Sequence, residues 1–334
     1  MIEQQHYSLL GHNTFGIDAK CLHYVEVEHA SEVESVVRLL QESASPYIII
    51  GGGSNLLLTG DYPGTVLRSA IKGIEHLDDA RLRVGSGVVW DDLVDYCLQH
   101  QLYGAENLSL IPGDVGACAV QNIGAYGAEA CELISEVEAV DLQTGAFRVF
   151  SQEECQYGYR DSRFKHDWRN RFFITAVVFR FHTDFRPRID YGNIRAELER
   201  RGISEPSASE LRQVIIAIRR EKLPDPSQTG NAGSFFMNPV VSREKYEQLA
   251  AQYPEMPHYT VDAQHEKIPA GWMIEQCGWK GRSLGRAGVH PRQALVLVNL
   301  GGATGSEIVS LCQTIQQDVK QRFGIEIHPE VNII

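Results

Sequence analysis

Four consecutive apolar residues, Tyr47-Ile48-Ile49-Ile50, run without a break into Gly51-Gly52-Gly53-Ser54-Asn55. A short run of β-branched residues reads as a buried strand, and glycines directly after it let the backbone turn closely against a neighbour. Strand, glycines and then polar donors is how a chain wraps backbone N–H groups around a diphosphate. The dinucleotide fingerprint is excluded, because position 56 is Leu where G-x-G-x-x-G needs its third glycine and no amphipathic helix follows. A tight turn between strands accounts for the same five residues equally well.

A second small-residue turn lies at Gly230-Asn231-Ala232-Gly233-Ser234-Phe235-Phe236-Met237-Asn238-Pro239, beyond a basic run from Arg219 to Lys222. Gly230, Ala232 and Gly233 permit close approach of a ligand and present Ser234 as a hydroxyl, which Phe235 and Phe236 are expected to shield from water. Asn238 adds an amide before Pro239 restricts the backbone. A glycine-rich turn with an aromatic pair plugging the core is the simpler alternative.

The remaining chain alternates strands and helices. Val33, Val36, Val37 and Leu40 behind Ser31-x-x-Glu34 predict a capped helix over 31–40. A strand over 81–90 ends at Gly85-Ser86-Gly87, and a helix opens at Trp90 with Leu93, Val94, Cys97 and Leu98 on one face and Gly104 beyond it. Residues 134–150 predict a hairpin turning at Thr144-Gly145, and 172–181 a strand. Ser207-x-x-Glu210 starts a helix with Leu211, Val214, Ile215 and Ile218 inward. After Pro239 come a helix at 242–252, a glycine-rich loop from Gly281 to Gly288 and a strand at 294–299. A helix over 305–323, ended by Gly324, and a closing strand over 326–331 complete the chain. There is no internal repeat.

Three further stretches carry chemistry. Leu110–Gly116 and Gln121–Gly127 place Gln and Asn among Gly, Ala and apolar residues; buried amides need partners, which a polar ligand or the loop's own backbone would supply. Tyr157–Lys165 is dense in aromatics and guanidinium groups, and an arginine there can hold a carboxylate in bidentate fashion. Tyr191-Gly192 follows Arg186 and Arg188 in a basic loop.

Composition narrows the class. The 334 residues suffice for two or three domains, and a formal charge of -12 argues against a general nucleic-acid binder. Seven scattered cysteines, without a C-x-x-C pair, read as reduced thiols. No signal peptide and no membrane-spanning run is evident, so a cytoplasmic location is expected, with no membrane or nucleic-acid partner.

Taken in order, GGGSN (51–55), IPGDVG (111–116), QNIGAYG (121–127), YRDSRFK (159–165), KLPDP (222–226), GNAGSFFMNP (230–239), AGWMIEQ (270–276) and PEV (329–331) resemble the UDP-N-acetylenolpyruvoylglucosamine reductase (MurB) family, flavoenzymes of peptidoglycan precursor synthesis. Tyr191 resembles the longer class of that family, in which a tyrosine loop closes over the substrate. The resemblance implies a mixed α+β protein. Its two-domain FAD-binding scaffold, of the vanillyl-alcohol-oxidase (PCMH) type, would comprise 1–70 with 324–334, and 71–223; a third, substrate-binding domain would span 224–323. It also implies non-covalent FAD, NADPH as hydride donor and a small-molecule substrate, in a protein expected to be monomeric. In the implied reaction NADPH reduces FAD and leaves. The enolpyruvyl ether of UDP-N-acetylglucosamine then takes a hydride from flavin N5 at its terminal alkene carbon. Charge moves onto the neighbouring carboxylate, and a proton arrives at the adjacent carbon.

By the same resemblance, FAD would be lined by Gly51, Gly52, Gly53, Ser54, Asn55, Pro112, Gly113, Gly116, Gln121, Asn122, Gly124, Ala125, Tyr126 and Gly127. The catalytic residues would be Arg160 on the substrate carboxylate, Ser234 as proton donor and Glu330, which, if protonated in the site, would donate a hydrogen bond to the same carboxylate. Tyr159, Tyr191, Arg219, Lys222, Gly233, Asn238 and Gln293 would hold the UDP-sugar. No metal is implied. His328 stands where relatives often carry Glu, which leaves Glu330 after Pro329 in register; Asp114 and Met237 stand where relatives vary. An oxygen-using oxidase on the same scaffold often tethers FAD through a histidine, absent from 51–55. A non-catalytic flavin or UDP-sugar sensor would not require Arg160, Ser234 and Glu330 together, and neither Ser54 nor Ser234 lies in the G-x-S-x-G of a nucleophilic serine.

Overall fold

Tyr47–Ile50 forms the expected strand, at one end of a four-stranded sheet ordered Ile2–Ser8, Lys20–Val27, Tyr62–Ser69, Tyr47–Ile50. Tyr62–Ser69 runs parallel to both Lys20–Val27 and Tyr47–Ile50. Parallel strands need a crossover, and helix α1 (Val33–Glu42) supplies it, burying Val33, Val36 and Val37. The capping box is not at Ser31. The Glu32 carboxylate accepts the His29 N–H at 3.1 Å, so a short 3-10 turn comes first and α1 begins after it.

The computed structural model describes residues 1–43 and 45–334, which group into two units. The first comprises Met1–Tyr7, Cys21–Gly53 and Tyr62–Glu221. It holds that sheet and an antiparallel five-stranded one, ordered Phe147–Ser151, Ile134–Asp141, Phe172–Arg180, Arg81–Gly85, Ile74–His76. Every residue from Phe172 to Phe179 is buried, so this central strand has core on both faces. Phe172, Ile174 and Phe179 join the cluster of Trp90, Leu93 and Cys97 from helix α2 (Trp90–Gln99), whereas Phe173 packs with Val33 and Val36 of α1. Helix α3 (Val115–Gln121) also lies against the central strand. Helices α4 (Ile194–Arg200), which the sequence pattern did not reveal, and α5 (Ala208–Lys222) share a separate cluster of Ile194, Leu198, Leu211, Val214, Ile215 and Ile218. The Ser207–Glu210 box at the start of α5 forms as expected.

The second unit comprises Ser8–Lys20, Ser54–Asp61 and Lys222–Ile334. Its main sheet is antiparallel, ordered Gly230–Asn231, Leu297–Asn299, Ala287–Val289, Ser283–Leu284. The stretch 281–288, expected as a loop, is thus largely a hairpin; its glycines serve the turn at Gly285 (φ 62°) rather than an irregular segment. A smaller sheet joins Val240–Ser242, His265–Lys267 and Tyr259–Thr260. Helix α6 (Arg243–Ala250) is capped by Ser242, α7 spans Ala270–Gln276, and α8 (Gly305–Phe323) starts at a Thr304–Glu307 capping box. Helix α8 ends at left-handed Gly324 (φ 64°), as its sequence predicts. The closing strand is not 326–331. It is Asn332–Ile333, parallel to Leu56–Leu57, because the preceding residues are committed to the Ser234 turn by single backbone bonds. No disulfide, metal-ligand cluster or helix long and apolar enough to cross a membrane occurs among the described residues.

Candidate active site

In the first unit the glycine turn backs directly onto the segment after Pro112. A Cβ on Gly51 would stand 3.0 Å from the Ala117 Cβ, and one on Gly52 3.4 Å from the Gly113 Cα. Gly113 itself takes φ 119°, and Gly116 packs where a Cβ would come 2.9 Å from Ser86 Cβ. These glycines exist for close backbone approach. The first N–H groups of α3 are already used: Val115 N–H donates to Val88 O at 2.9 Å and Gly116 N–H to Ser86 O at 2.8 Å. These two groups are therefore not available to a diphosphate.

The stretch from Gln121 to Gly127 is a chain of constrained backbones. Asn122 (φ 46°) and Tyr126 (φ 49°) are left-handed, as is Gly127 (φ 79°). The buried Asn122 side chain is engaged by the protein, donating to Glu129 Oε2 (3.0 Å) and Gly158 O (2.8 Å) and accepting from Cys131 N–H (3.0 Å). Gln121 differs: its enclosed Oε1 has no partner among the described residues. Gly124 and Ala125 pair with Ala128 and Glu129 in a two-stranded turn. Asn107, which the sequence did not single out, donates to Tyr126 O (2.8 Å) and Arg188 O (3.0 Å) and so braces this turn against the Tyr191 loop. Tyr191 is exposed, and its ring lies where a Gly127 Cβ would meet it at 3.5 Å.

Arg160 is held in place from several sides. Its backbone is left-handed (φ 56°), a costly conformation for a residue with a side chain. Its carbonyl accepts from Lys165 Nζ at 2.8 Å, and its guanidinium donates to Gly124 O and lies 3.8 Å from Glu129. A Cβ at Gly124 would stand 2.8 Å from Ala128 O and closer still to Arg160 Nη1, so a larger residue there would displace the guanidinium. The Tyr159 ring lies beside it, 5.1 Å from the guanidinium carbon. On α5 the Arg219 Nε is enclosed without a partner, and no ion pair to this residue occurs among the described residues. Burial lowers its affinity for its proton, and the Arg160 charge acts in the same direction against the opposing Tyr126 and Asp91. A cation in this state calls for an anion.

In the second unit the Ser234 turn is rigidly built. Gly230 must be glycine, since a Cβ would come 2.2 Å from Phe15 O. The buried Asn231 side chain donates to Thr229 O (2.8 Å) and accepts from Gly233 N–H (2.9 Å), which fixes Gly233 at φ 68°. Ser234 is exposed, whereas Phe235 and Phe236 are buried in the core. The expected shielding of the hydroxyl by the phenyl rings is not what the structure has; the rings anchor the turn and leave the serine outward. Phe235 O accepts from Glu330 N–H at 2.8 Å, and Met237 N–H donates to His328 O at 2.9 Å. Asn55 Nδ2 donates to Glu330 O at 3.2 Å, so Asn55, Glu330 and Ser234 form one laced segment within this unit. Asn238 accepts from Ala270 N–H at the start of α7 (2.9 Å), half-buried Gln293 lies beside Gly271, and Lys222 closes α5.

These residues fit a flavin dinucleotide. A side-chain-free turn suits a diphosphate, and two enclosed oxygens, Gln121 Oε1 and Asp114 Oδ2, have no hydrogen-bond partner among the described residues. Asp114 and Asn107 carry no periodic signal in the sequence; in the structure Asp114 faces the glycine turn and Asn107 braces the Tyr126 turn.

Comparison with known proteins agrees with this geometry. Residues 21–151 match an FAD binding domain, and 225–334 the C-terminal domain of UDP-N-acetylenolpyruvoylglucosamine reductase. The chain is 54% identical over 335 residues to the UDP-N-acetylenolpyruvoylglucosamine reductase of Bacteroides fragilis (strain YCH46), covering 99% of this chain and 100% of that one. It is 45% identical over 334 residues to that of Pseudomonas aeruginosa, covering 99% and 98%. The crystal structure of MurB from Thermus caldophilus superposes with a TM-score of 0.68 at 23% identity, over 99% of this chain and 98% of that one, and shares the fold. With both domain matches and full-length identity at this level, the chain belongs to the UDP-N-acetylenolpyruvoylglucosamine reductase family.

Proposed function

We propose that this chain uses NADPH and non-covalent FAD to reduce the enolpyruvyl ether of UDP-N-acetylglucosamine to UDP-N-acetylmuramate, an oxidoreductase step of peptidoglycan precursor synthesis in the cytoplasm. The observation that carries the reading is the Ser234 turn, whose exposed hydroxyl is held on a backbone tied to Glu330. Gly51–Asn55, Pro112, Gly113, Gly116 and Gln121–Gly127 are the residues that hold FAD. When bound, FAD supplies the hydride.

The chain's own residues govern the rest. Arg160, a permanent cation with its backbone and guanidinium fixed, stabilises the substrate carboxylate as charge develops there. Glu330, as the neutral acid, donates a hydrogen bond to the same carboxylate. Ser234 Oγ gives its proton to the substrate carbon; a hydroxyl is a weak acid, but a carbanionic acceptor is far more basic. Arg219 and Lys222 neutralise the UDP diphosphate, with Tyr159, Gly233, Asn238 and Gln293 completing the sugar-nucleotide contacts. Tyr191, exposed above Gly127, closes over the substrate as in the longer class of the family. By the family resemblance, residues 1–70 with 324–334 and 71–223 are read as two FAD-binding subdomains and 224–323 as the substrate domain, in a monomeric enzyme.

Anaerobic visible spectroscopy tests this. Stoichiometric NADPH should bleach the flavin band, and adding the enolpyruvyl UDP-sugar should restore it without oxygen. Recovery only on admitting air would mean that the scaffold serves an oxidase.

A further inference from the structure

Asp114 is the most unusual polar residue in the first unit. It is 5% exposed, and its Oδ2 is enclosed without a hydrogen-bond partner. It occupies the N-cap position of α3, where an aspartate ordinarily accepts a backbone N–H of the first turn. Here it makes no capping bond, because Val115 and Gly116 already donate to Val88 and Ser86. The carboxyl turns instead toward the glycine turn. Its oxygens lie 3.5 and 3.6 Å from the position a Gly52 Cβ would take, and Oδ2 lies 3.7 Å from that of Gly51. An enclosed, unpartnered Oδ2 thus lies directly against the side-chain-free backbone of the glycine turn.

Two charged groups face Asp114, Arg68 from the strand Tyr62–Ser69 and Lys72 just beyond it. Both have other partners: Arg68 Nη1 pairs with Glu26 at 2.6 Å, while Arg68 Nε is enclosed without a partner among the described residues, and Lys72 Nζ donates to Gly87 O. The Gly51–Gly52 turn, the Ser86–Val88 turn and the first turn of α3 bring no charged side chain. Burial therefore dominates and raises the Asp114 carboxyl above its ordinary range, against the smaller opposing effects of Arg68 and Lys72. A diphosphate placed nearby raises it further, by like-charge repulsion.

We infer that Asp114 makes FAD affinity proton-dependent: as a neutral carboxyl it donates a hydrogen bond to the diphosphate on Gly51–Gly52, so cofactor binding is accompanied by proton uptake. The inference rests on the FAD reading above. An ionised carboxylate has no donor and repels the phosphate oxygens, whereas the neutral acid has one O–H to give. Linkage sets the shape of the response. Affinity is constant below the free-state pKa of Asp114 and falls by up to about tenfold per pH unit between the free and bound values. Above the bound value it is constant again.

The test is FAD binding to the full chain stripped of its flavin, by fluorescence quenching from about pH 5 to about pH 9, a range reached by raised carboxyls. Wild type should weaken as pH rises, and Asp114→Asn, which keeps the donor without the charge, should bind at every pH as wild type does at the acid end. Titration calorimetry of wild type in two buffers of different ionisation heat should record uptake of up to about one proton per FAD. Parallel pH profiles for wild type and Asp114→Asn, or no proton uptake across the range, would overturn the inference while leaving the FAD reading intact. Absence of FAD binding by either protein at any pH would overturn both.

Discussion

Glu330 N–H donates to Phe235 O at 2.8 Å, joining the penultimate stretch of the chain to the residue after Ser234. Nearly a hundred residues separate the two in sequence. The bond means that the Glu330 carboxyl and the Ser234 hydroxyl are carried on adjacent backbones, each pinned by a buried neighbour: Phe235 on one side, Val331 on the other. A proton donor must be within reach at the moment charge appears, and a backbone fixed in this way avoids reorganisation during the reaction.

Ser234→Ala should leave reduction of the flavin by NADPH intact and slow its reoxidation by the enolpyruvyl UDP-sugar by about a hundredfold or more, the range of a lost general acid. Stopped-flow absorbance resolves the two half-reactions. Equal loss in both would remove Ser234 from the proton-transfer step.

Gly124→Ala should mimic loss of Arg160. The added methyl would stand 2.8 Å from Ala128 O and closer still to Arg160 Nη1, so the guanidinium is displaced from its seat. A drop in kcat of about a hundredfold is expected from misplacing a charge-stabilising group. Arg160→Lys should be similarly poor, because an ammonium cannot reproduce the planar fork. If Gly124→Ala retained wild-type kcat, the seat would be dispensable.

How much of this was legible in the sequence depended on whether the signal was local. Helices α5 and α8 were readable because capping box, apolar face and, for α8, a C-terminal glycine all agree. Helix α1 was misplaced at its start because Ser31 and Glu34 have capping-box spacing, yet Glu32 takes the His29 N–H first. The hairpin at Ser283–Val289 was hidden by its glycines, and α4 by a charge-rich segment whose only buried apolar residues are Ile194 and Leu198. The candidate site residues were found through motifs. What each does locally was not: Asn122 and Gln121 look alike in sequence, but one is saturated by protein contacts and the other has an orphaned oxygen.

Glu266 sets a pH dependence in the small sheet of the second unit. Its buried carboxylate is bonded to His258 Nδ1 (3.0 Å) and Thr260 Oγ1 (3.1 Å), with Arg243 at 3.7 Å. The His258 bond, foremost, holds its pKa below the ordinary carboxylate range. The stabilisation is therefore present above the unfolded value of about 4.3 and is lost as pH falls through the lower folded value. Glu266→Gln should lower Tm at pH 7, with the deficit shrinking as pH drops below about 4. A deficit that is constant with pH would mean that shape, not charge, is what the site requires.

Arg219 should separate stability from function. In the free protein its enclosed Nε has no partner, and burial opposes its charge. Arg219 is only half-buried, but its enclosed Nε has no partner, so Arg219→Met, similar in volume, should leave stability unchanged or slightly raised. In the proposed site the same change removes a donor to the UDP diphosphate, and hydrogen bonds to charged groups contribute roughly 1.5–3 kcal/mol, about a tenfold to hundredfold rise in KM for the nucleotide-sugar. Chemical denaturation and steady-state kinetics on one preparation measure both. A variant that is less stable and has unchanged KM would make Arg219 a structural residue; one that is at least as stable and binds poorly would mean the chain retains this cation for the sake of its anionic ligand.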